Sequence, residues 1–158
     1  MTQLARDIRA GKFAPLYYFY GDDDYRMREA TNFLAQNYLT DSAGFSGLSR
    51  LDLGDQKFDD IRIELAEPPF FGERKLVVVV DPQRLSPKQQ DDLVRSLQPP
   101  LPDRVVVFVT RAARKPKKTA AFFKKMEIHA AVAHFGWLSE REALSRATQE
   151  LQRREVTA

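Results

Sequence analysis

The sequence predicts an α/β fold built on a parallel five-stranded sheet flanked by helices. Two uninterrupted apolar runs, residues 76–80 and 105–109, have no polar face and therefore suit strands that are covered on both sides. Segments with helical spacing of apolar residues alternate with the strand candidates, which implies βαβ units. Right-handed crossovers between parallel strands then fix most of the topology.

The first predicted elements surround a possible ligand-binding loop. A short helix carrying Leu4 and Ile8 ends at Gly11, and an aromatic strand over residues 16–20 ends at Gly21. The apolar stripe of the following helix consists of Met27, Ala30, Leu34 and Tyr38. A strand, a turn at a glycine and a helix are also the arrangement of many nucleotide sites.

A weaker strand and another helix follow. Residues 48–53 alternate weakly and end at Gly54, which suits an edge strand. Asp55 can cap the next helix. The apolar face of that helix consists of Phe58, Ile61 and Leu65. Pro68 and Pro69 end it, and the first apolar run is then the third strand.

The fourth helix has a clear start signal. Ser86 and Gln89 form a predicted capping box with Pro87 at the first helical position. The apolar residues of this helix are Leu93, Val94 and Leu97. A stiff proline-rich connector at residues 99–102 leads to the fourth strand.

The end of the chain predicts one more βα unit and a domain boundary. A helix with Thr119, Phe122 and Met126 precedes a last strand at residues 131–135. A second capping box at Ser139 begins a further helix, whose apolar side consists of Leu144, Ala147 and Leu151. We expect residues 1–138 to form one domain and residues 139–158 to begin a second, helical lid domain that is truncated here.

The composition is that of a globular protein without cysteine chemistry. Among 158 residues, 25 are basic and 22 acidic, and a net charge of +3 does not by itself imply nucleic acid. The absence of cysteine excludes disulfides, thiolate catalysis and cysteine-ligated zinc. The apolar runs are too short for a membrane span and the N-terminus lacks a signal-peptide core, so we expect a cytoplasmic protein without a membrane partner.

The loop after the first strand argues against nucleotide hydrolysis. The phosphate loop of NTPases needs several glycines, a lysine and a Ser/Thr. Residues 21–27 contain one glycine and no lysine, and the three aspartates at 22–24 would repel phosphates. The third strand ends at Asp81, where such enzymes place a magnesium-binding Asp, but Pro82 replaces the adjacent glutamate. We expect a degenerate nucleotide site, no ATPase activity, no catalytic residue and no cofactor or metal.

Other polar residues in these loops have structural explanations. The aspartates at 22–24 begin a helix, where acidic side chains cap amides and complement the dipole. His129 and His134 have no matched cluster of metal ligands, so we expect structural histidines. Ser139 has a capping role and no paired base, so no nucleophile is indicated.

The segment before the third strand is the most unusual stretch of the sequence. Phe70 and Phe71 lie between Pro69 and Gly72, and the charged residues 73–75 indicate a surface connection. Two aromatic residues in a surface connector either fold back into the core or are exposed for a partner. Taken alone, the residues favour core packing, since aromatic side chains are mostly buried.

Two segments resemble the delta subunit family of bacterial DNA polymerase III, which belongs to the clamp loader. They are the strand-Gly-acidic-Tyr pattern of residues 17–28 and the Phe-Phe-Gly-Glu-Arg-Lys-Leu-Val-Val-Val segment at 70–79. The resemblance covers essentially the whole chain, as the N-terminal domain of a protein about twice as long. It implies an AAA+ fold, of the P-loop NTPase type, with a degenerate phosphate loop.

The resemblance also implies a function. In that family this domain grips the ring-shaped sliding clamp and springs one of its interfaces through an adjacent Leu-Phe pair. That pair matches Phe70 and Phe71, although the first position departs from Leu. The implied partners are the sliding clamp (beta subunit), primed DNA in the full complex, and the gamma/tau and delta prime subunits. Those subunits would bind through C-terminal domains that this chain lacks.

Two other function classes stay open at this point. One is an NTPase with an unusual phosphate loop. The other is a DNA-binding domain that acts through a dense basic cluster, whose members are Arg111, Arg114, Lys115, Lys117 and Lys118. This cluster suits DNA phosphates and a solvated loop equally well.

Overall fold

The computed structural model describes residues 3–39, 47–69, 73–101, 103–111 and 117–136. They form a five-stranded parallel sheet with helices on both faces, which confirms the predicted fold class. The strands are β1 (Leu16–Gly21), β2 (Leu48–Asp52), β3 (Lys75–Val80), β4 (Arg104–Arg111) and β5 (Ala131–His134). The helices are α1 (Gln3–Arg9), α2 (Asp24–Tyr38), α3 (Phe58–Ala66), α4 (Pro87–Ser96) and α5 (Lys117–His129).

The two apolar runs form the centre of the sheet. The strand order is β2-β3-β4-β1-β5, and every neighbouring pair is parallel. In the β3–β4 pair, Val77 lies opposite Val106 and Val79 opposite Phe108. All six residues of β3 are buried, as expected for a strand with helices on both faces. The weaker strand β2 lies at an edge, as predicted.

Each face of the sheet has its own apolar core. The face covered by α3, α4 and α5 buries Tyr18, Ile61, Leu93, Phe108 and Phe122. The face covered by α1 and α2 buries Ile8, Tyr17, Phe19, Met27 and Leu34. No helix in the described ranges is both long and apolar enough to cross a membrane.

The start of α4 confirms the predicted capping box. The Ser86 hydroxyl accepts the N–H of Gln89 at 3.2 Å, and the Gln89 amide oxygen accepts the N–H of Ser86 at 3.1 Å. Both bonds satisfy donors that the first turn of a helix leaves open. Pro87 is the first helical residue, where its missing N–H costs nothing.

The predicted helix cap at Asp55 is wrong. Asp55 lies in a turn, where its N–H donates to the carbonyl of Asp52 at 2.9 Å, and α3 begins only at Phe58. Asp60 reaches back instead, and its carboxylate accepts the N–H of Lys57 at 3.3 Å. In α2 the buried stripe includes Thr31, whose hydroxyl donates to the carbonyl of Met27 at 2.8 Å.

The predicted second domain lies outside the described residues. This applies to the capping box at Ser139, to the apolar side of Leu144, Ala147 and Leu151, and to the boundary between residues 1–138 and 139–158. These expectations therefore stay predictions.

Gly21 is required by a close approach of two backbone segments. Its φ is +146°, and a Cβ there would lie 2.0 Å from the carbonyl oxygen of Phe135. Phe135 follows β5, and its N–H donates to the carbonyl of Tyr20 at 2.8 Å. Its carbonyl accepts the N–H of Asp23 at 3.0 Å. The single glycine of the loop thus makes room for the protein's own backbone.

The variant Gly21→Ala is expected to destabilise the protein by about 3 kcal/mol or more, since strain at positive φ adds to a clash with backbone. Gly11→Ala is the matched control, because its φ is +79° but nothing lies within 4 Å of the added Cβ. Strain alone should cost Gly11→Ala about 1–2 kcal/mol. Urea unfolding of both variants measures the difference, and equal losses would contradict the role of the Phe135 contact.

Candidate functional site

Two regions of the structure bear on function: the carboxyl edge of the sheet and the segment between α3 and β3. In parallel α/β sheets ligands usually bind outside the carboxyl ends of the strands. Here that edge brings together the loop after β1, Asp81 after β3 and Arg111 at the end of β4.

Polar groups of the loop after β1 form hydrogen bonds with other groups of the protein. Asp23 is the N-cap of α2, and its carboxylate accepts the N–H of Arg26 at 3.1 Å. This confirms the capping role predicted for the acidic run. The Arg26 guanidinium lies 5.6 Å from the centre of the Phe135 ring. The N–H of Asp23 also donates to the Phe135 carbonyl, so these contacts of the loop are all made within the protein.

Asp81, at the position where P-loop enzymes place a magnesium-binding aspartate, is bound by an arginine. Its carboxylate accepts the Arg111 guanidinium at 2.8 Å and the Arg111 backbone N–H at 3.0 Å. Gln83 donates a third bond at 3.3 Å. The same guanidinium lies 3.3 Å from a carboxylate oxygen of Asp52. Asp52, Arg111 and Asp81 thus form an ion-pair network with Arg111 at its centre, which we call the edge network.

The electrostatics of the edge network favour its ionised form. Burial alone would raise the pKa of Asp81, but the bonds from the side chain and backbone of Arg111 and from Gln83 together lower it. The bond to Asp81 also raises the pKa of Arg111. In the described part of the chain, no group of three potential ligands could hold a metal ion.

A polar chain connects this edge to the core. The Tyr18 hydroxyl donates to Thr110 at 2.9 Å, and Thr110 donates to the Gln83 amide oxygen at 3.0 Å. Burial raises the pKa of Tyr18 to about 12, so the phenol is a neutral hydrogen-bond donor near neutral pH. Gln83 therefore links the buried Tyr18 to Asp81.

The predicted basic cluster is only partly described. Arg111 lies in the edge network, a contact that sequence spacing could not indicate. Lys117 and Lys118 begin α5, but their side chains are outside the described part, and so are Arg114 and Lys115. The His134 ring lies 4.8 Å from the Tyr20 ring, which fits the structural role predicted for it, and His129 is exposed at the end of α5.

The second region is the connector, defined as residues 67–74. Phe70 and Phe71 lie outside the described residues, as does Gly72. Glu67 and Pro68 are exposed at the start of the connector, and Ile63, one turn earlier on α3, is 64% exposed. An exposed apolar residue thus lies beside the start of the connector.

Both ends of the connector are held by cations. The Arg74 guanidinium donates to the carbonyl of Tyr38 at 3.2 Å and lies 4.9 Å from the Tyr38 ring centre and 5.8 Å from that of Phe13. The Lys75 ammonium donates to the carbonyl of Glu67 at 3.1 Å. The expectation that the charged residues 73–75 form a surface connection is wrong for Lys75, which is only 7% exposed.

The variant Asp81→Asn tests the edge network. At neutral pH we expect a loss of about 1–3 kcal/mol, because hydrogen bonds to a charged group are removed while asparagine still tolerates the positive φ of this position. Asp55→Asn, an exposed charge deletion, should change stability by less than about 0.5 kcal/mol.

The loss should also depend on pH. The lowered pKa of Asp81 means that its carboxylate contributes stability above the unfolded value of about 4, and that this contribution disappears as pH falls through the folded value. Denaturant unfolding of wild type and Asp81→Asn should therefore differ most near pH 7 and converge below about pH 4. A difference that stays constant from pH 7 to pH 3 would contradict the edge network.

Comparisons with known proteins place the chain in a family. A family model described as "DNA polymerase III, delta subunit" matches residues 17–135. The chain is also 26% identical over 89 residues to DNA polymerase III subunit delta of Bacillus subtilis (strain 168), a match that covers 56% of this chain and 26% of that protein.

Solved structures agree with this assignment. The Bacillus subtilis DNA clamp loader delta protein superimposes with a TM-score of 0.70 at 25% identity, over 87% of this chain and 42% of its own. A gamma subunit-related protein of DNA polymerase III from Thermotoga maritima gives 0.60 at 20% identity, over 89% and 47% of the two chains, and supports the fold alone. The chain thus spans less than half of these relatives. The family model covers most of its described residues, and the chain therefore belongs to the DNA polymerase III delta subunit family.

Proposed function

We propose that this chain is the clamp-gripping part of a clamp loader, and that Phe70 and Phe71 bind an apolar pocket on the sliding clamp. Binding would help to open one interface of the ring for loading onto primed DNA. The observation that carries the proposal is a Phe-Phe pair in a connector whose two ends are fixed by Arg74 and Lys75. Family membership supports the choice of partner.

The surroundings of the connector support a docking role. Aromatic anchors commonly dominate protein interfaces when they are centred in a patch with a polar rim. Ile63 offers further exposed apolar surface one turn from the connector, and exposed Glu67 and Arg74 would provide a polar rim. Fixed ends reduce the conformational entropy that binding would cost.

The edge network supports a role without nucleotide hydrolysis. A magnesium ion would have to compete with Arg111 for Asp81, and phosphates would meet the acidic loop at 22–24. We therefore propose that the chain is not an enzyme and acts inside a larger assembly. In that assembly its other partners would be the gamma/tau and delta prime subunits.

We propose no DNA contact for Arg111. Its guanidinium binds two carboxylates, and moving it to a phosphate would leave Asp81, whose side chain is 6% exposed, without its cation. DNA contact by Arg114, Lys115, Lys117 and Lys118 stays a prediction from the sequence alone.

The double variant Phe70→Ala/Phe71→Ala should weaken clamp binding by roughly a thousandfold, since truncated aromatic anchors cost about 2 kcal/mol each and about 1.4 kcal/mol corresponds to one decade. The melting temperature should stay near that of wild type, because side chains that are exposed for the clamp, as proposed, would leave no cavity when truncated. Surface plasmon resonance with purified clamp and thermal unfolding of the same preparation measure both quantities.

Ile128→Ala is the matched control for this experiment. Ile128 is 78% exposed on α5, so the variant removes an exposed apolar side chain away from the connector and should leave clamp affinity unchanged. Core packing of the Phe pair predicts the opposite pattern, with losses of about 3–5 kcal/mol of stability per residue. A double variant that melts far below wild type, or one that folds and still binds the clamp, would refute the proposal.

The chain is also expected to bind no ATP at micromolar concentrations, with or without magnesium, because the loop after β1 lacks the phosphate-binding lysine and the edge network holds Asp81. Isothermal titration calorimetry tests binding, and phosphate release against a mock preparation tests turnover. Magnesium-dependent micromolar binding would instead support the alternative of an unusual NTPase.

A further inference from the structure

We infer that Lys75 and Arg104 are positioning residues for the connector: two buried cations that bind the last carbonyls of α3 and thereby fix where the segment that contains Phe70 and Phe71 begins and ends. This inference rests on the proposed function for its effect on clamp binding. Its structural part, the fixing of the connector by these two cations, can be tested separately.

The two cations are neighbours at the amino edge of the sheet. Lys75 and Arg104 are the first residues of β3 and β4, and they lie opposite each other in the parallel pair. Because side chains alternate along a strand, they point to the same face as Val77 and Val106, which is the face that α3 covers. Both are buried, at 7% and 9% exposure.

Both side chains donate to carbonyls at the end of α3. The Lys75 ammonium lies 2.5 Å from the carbonyl oxygen of Glu64 and 3.1 Å from that of Glu67. The Arg104 guanidinium donates to the carbonyl of Leu65. Three of the carbonyls around the last turn of α3 are therefore bound by cations of the sheet.

The sequence after α3 explains why these donors come from the sheet. The last carbonyls of a helix have no partner within the helix and are usually bound by N–H groups of the residues that follow. After Glu67 the chain continues with Pro68 and Pro69, which have no N–H to donate. The last turn of α3 also contains no basic residue of its own to complement the helix dipole.

Burying these cations is costly, which indicates a role beyond packing. Lys75 forms an ion pair with Glu64 at 3.2 Å, and Glu64 accepts the Ser49 hydroxyl at 2.7 Å. The Ser49 bond and then Lys75 hold the pKa of Glu64 below its usual value, against partial burial. Arg104 makes no ion pair within the described residues, and its Nε–H has no partner there. An apolar side chain would fill this space at lower cost, but it could not bind the carbonyls.

Lys75 also ties the two ends of the connector together. Its side chain binds the carbonyl of Glu67 at the start of the connector, while its own backbone N–H donates to the carbonyl of Asp103 at 2.9 Å, next to β4. One residue thus sets the separation between the end of α3 and the start of β3. The connector therefore begins and ends at fixed points.

The variant Lys75→Met tests this inference, because methionine keeps an apolar stem of similar length and removes the donors. Amide exchange at the non-proline residues of 67–74 should become about tenfold to a hundredfold faster, while exchange in β3 residues 77–80 should stay near wild type. Clamp affinity should fall by about tenfold. Lys75→Arg, which keeps a buried cation, should restore most of both.

Two controls separate positioning from general loss of stability. Ser49→Ala removes a partner of Glu64 but none of the bonds to the α3 carbonyls, so exchange in the connector and clamp affinity should stay unchanged. In the Phe70→Ala/Phe71→Ala background, Lys75→Met should cause no further loss of clamp affinity, because it acts through the Phe pair.

Each outcome of these experiments supports or overturns the inference. If Lys75→Met does not fold, Arg104→Lys replaces it: this variant keeps the charge but loses the planar guanidinium, and it should speed exchange at 67–74 by a few-fold. Unchanged exchange in the folded variants, or affinity loss that persists without the Phe pair, overturns the inference. If the Phe pair proves irrelevant to the clamp while connector exchange still rises in Lys75→Met, only the proposed function fails.

Discussion

The pairing of β3 with β4 is the interaction on which both functional regions depend. These two strands form the buried centre of the sheet, and their register fixes which polar residues meet at each end. At the amino edge it sets Lys75 beside Arg104, under the last turn of α3. At the carboxyl edge it brings Arg111 to Asp81. A one-residue slip would turn every side chain to the other face and dismantle both arrangements.

The carboxyl edge has the strand–glycine–helix arrangement of a nucleotide site but not the residues that bind a nucleotide. Gly21 lies at the end of β1, and Asp81 follows β3. The space beside Gly21 is taken by the Phe135 carbonyl, and Asp81 is bound by Arg111. These internal contacts occupy the positions at which a nucleotide site would offer its backbone and its magnesium-binding aspartate to a ligand.

The sequence predicted those features that depend on neighbours along the chain. The two apolar runs, the aromatic strand and the capping box at Ser86 are local patterns, and all appear in the structure. The bond between Asp81 and Arg111 joins residues 30 apart, so no spacing rule could reveal it. The burial of Lys75 was missed for a similar reason, because its partners lie on α3 and not beside it. The Asp55 cap failed since a turn with Asp52 competed for the same residues.

The edge network has a consequence for behaviour in salt. The Asp81 side chain is 6% exposed and that of Arg111 34%, so their partly buried bond is screened less by mobile ions than contacts between exposed lysines and phosphates. The carboxyl edge should therefore keep its shape over a range of ionic strength in which contacts between exposed cations and phosphates weaken. The order of this edge would then depend less on the surrounding electrolyte than a fully exposed ion pair does.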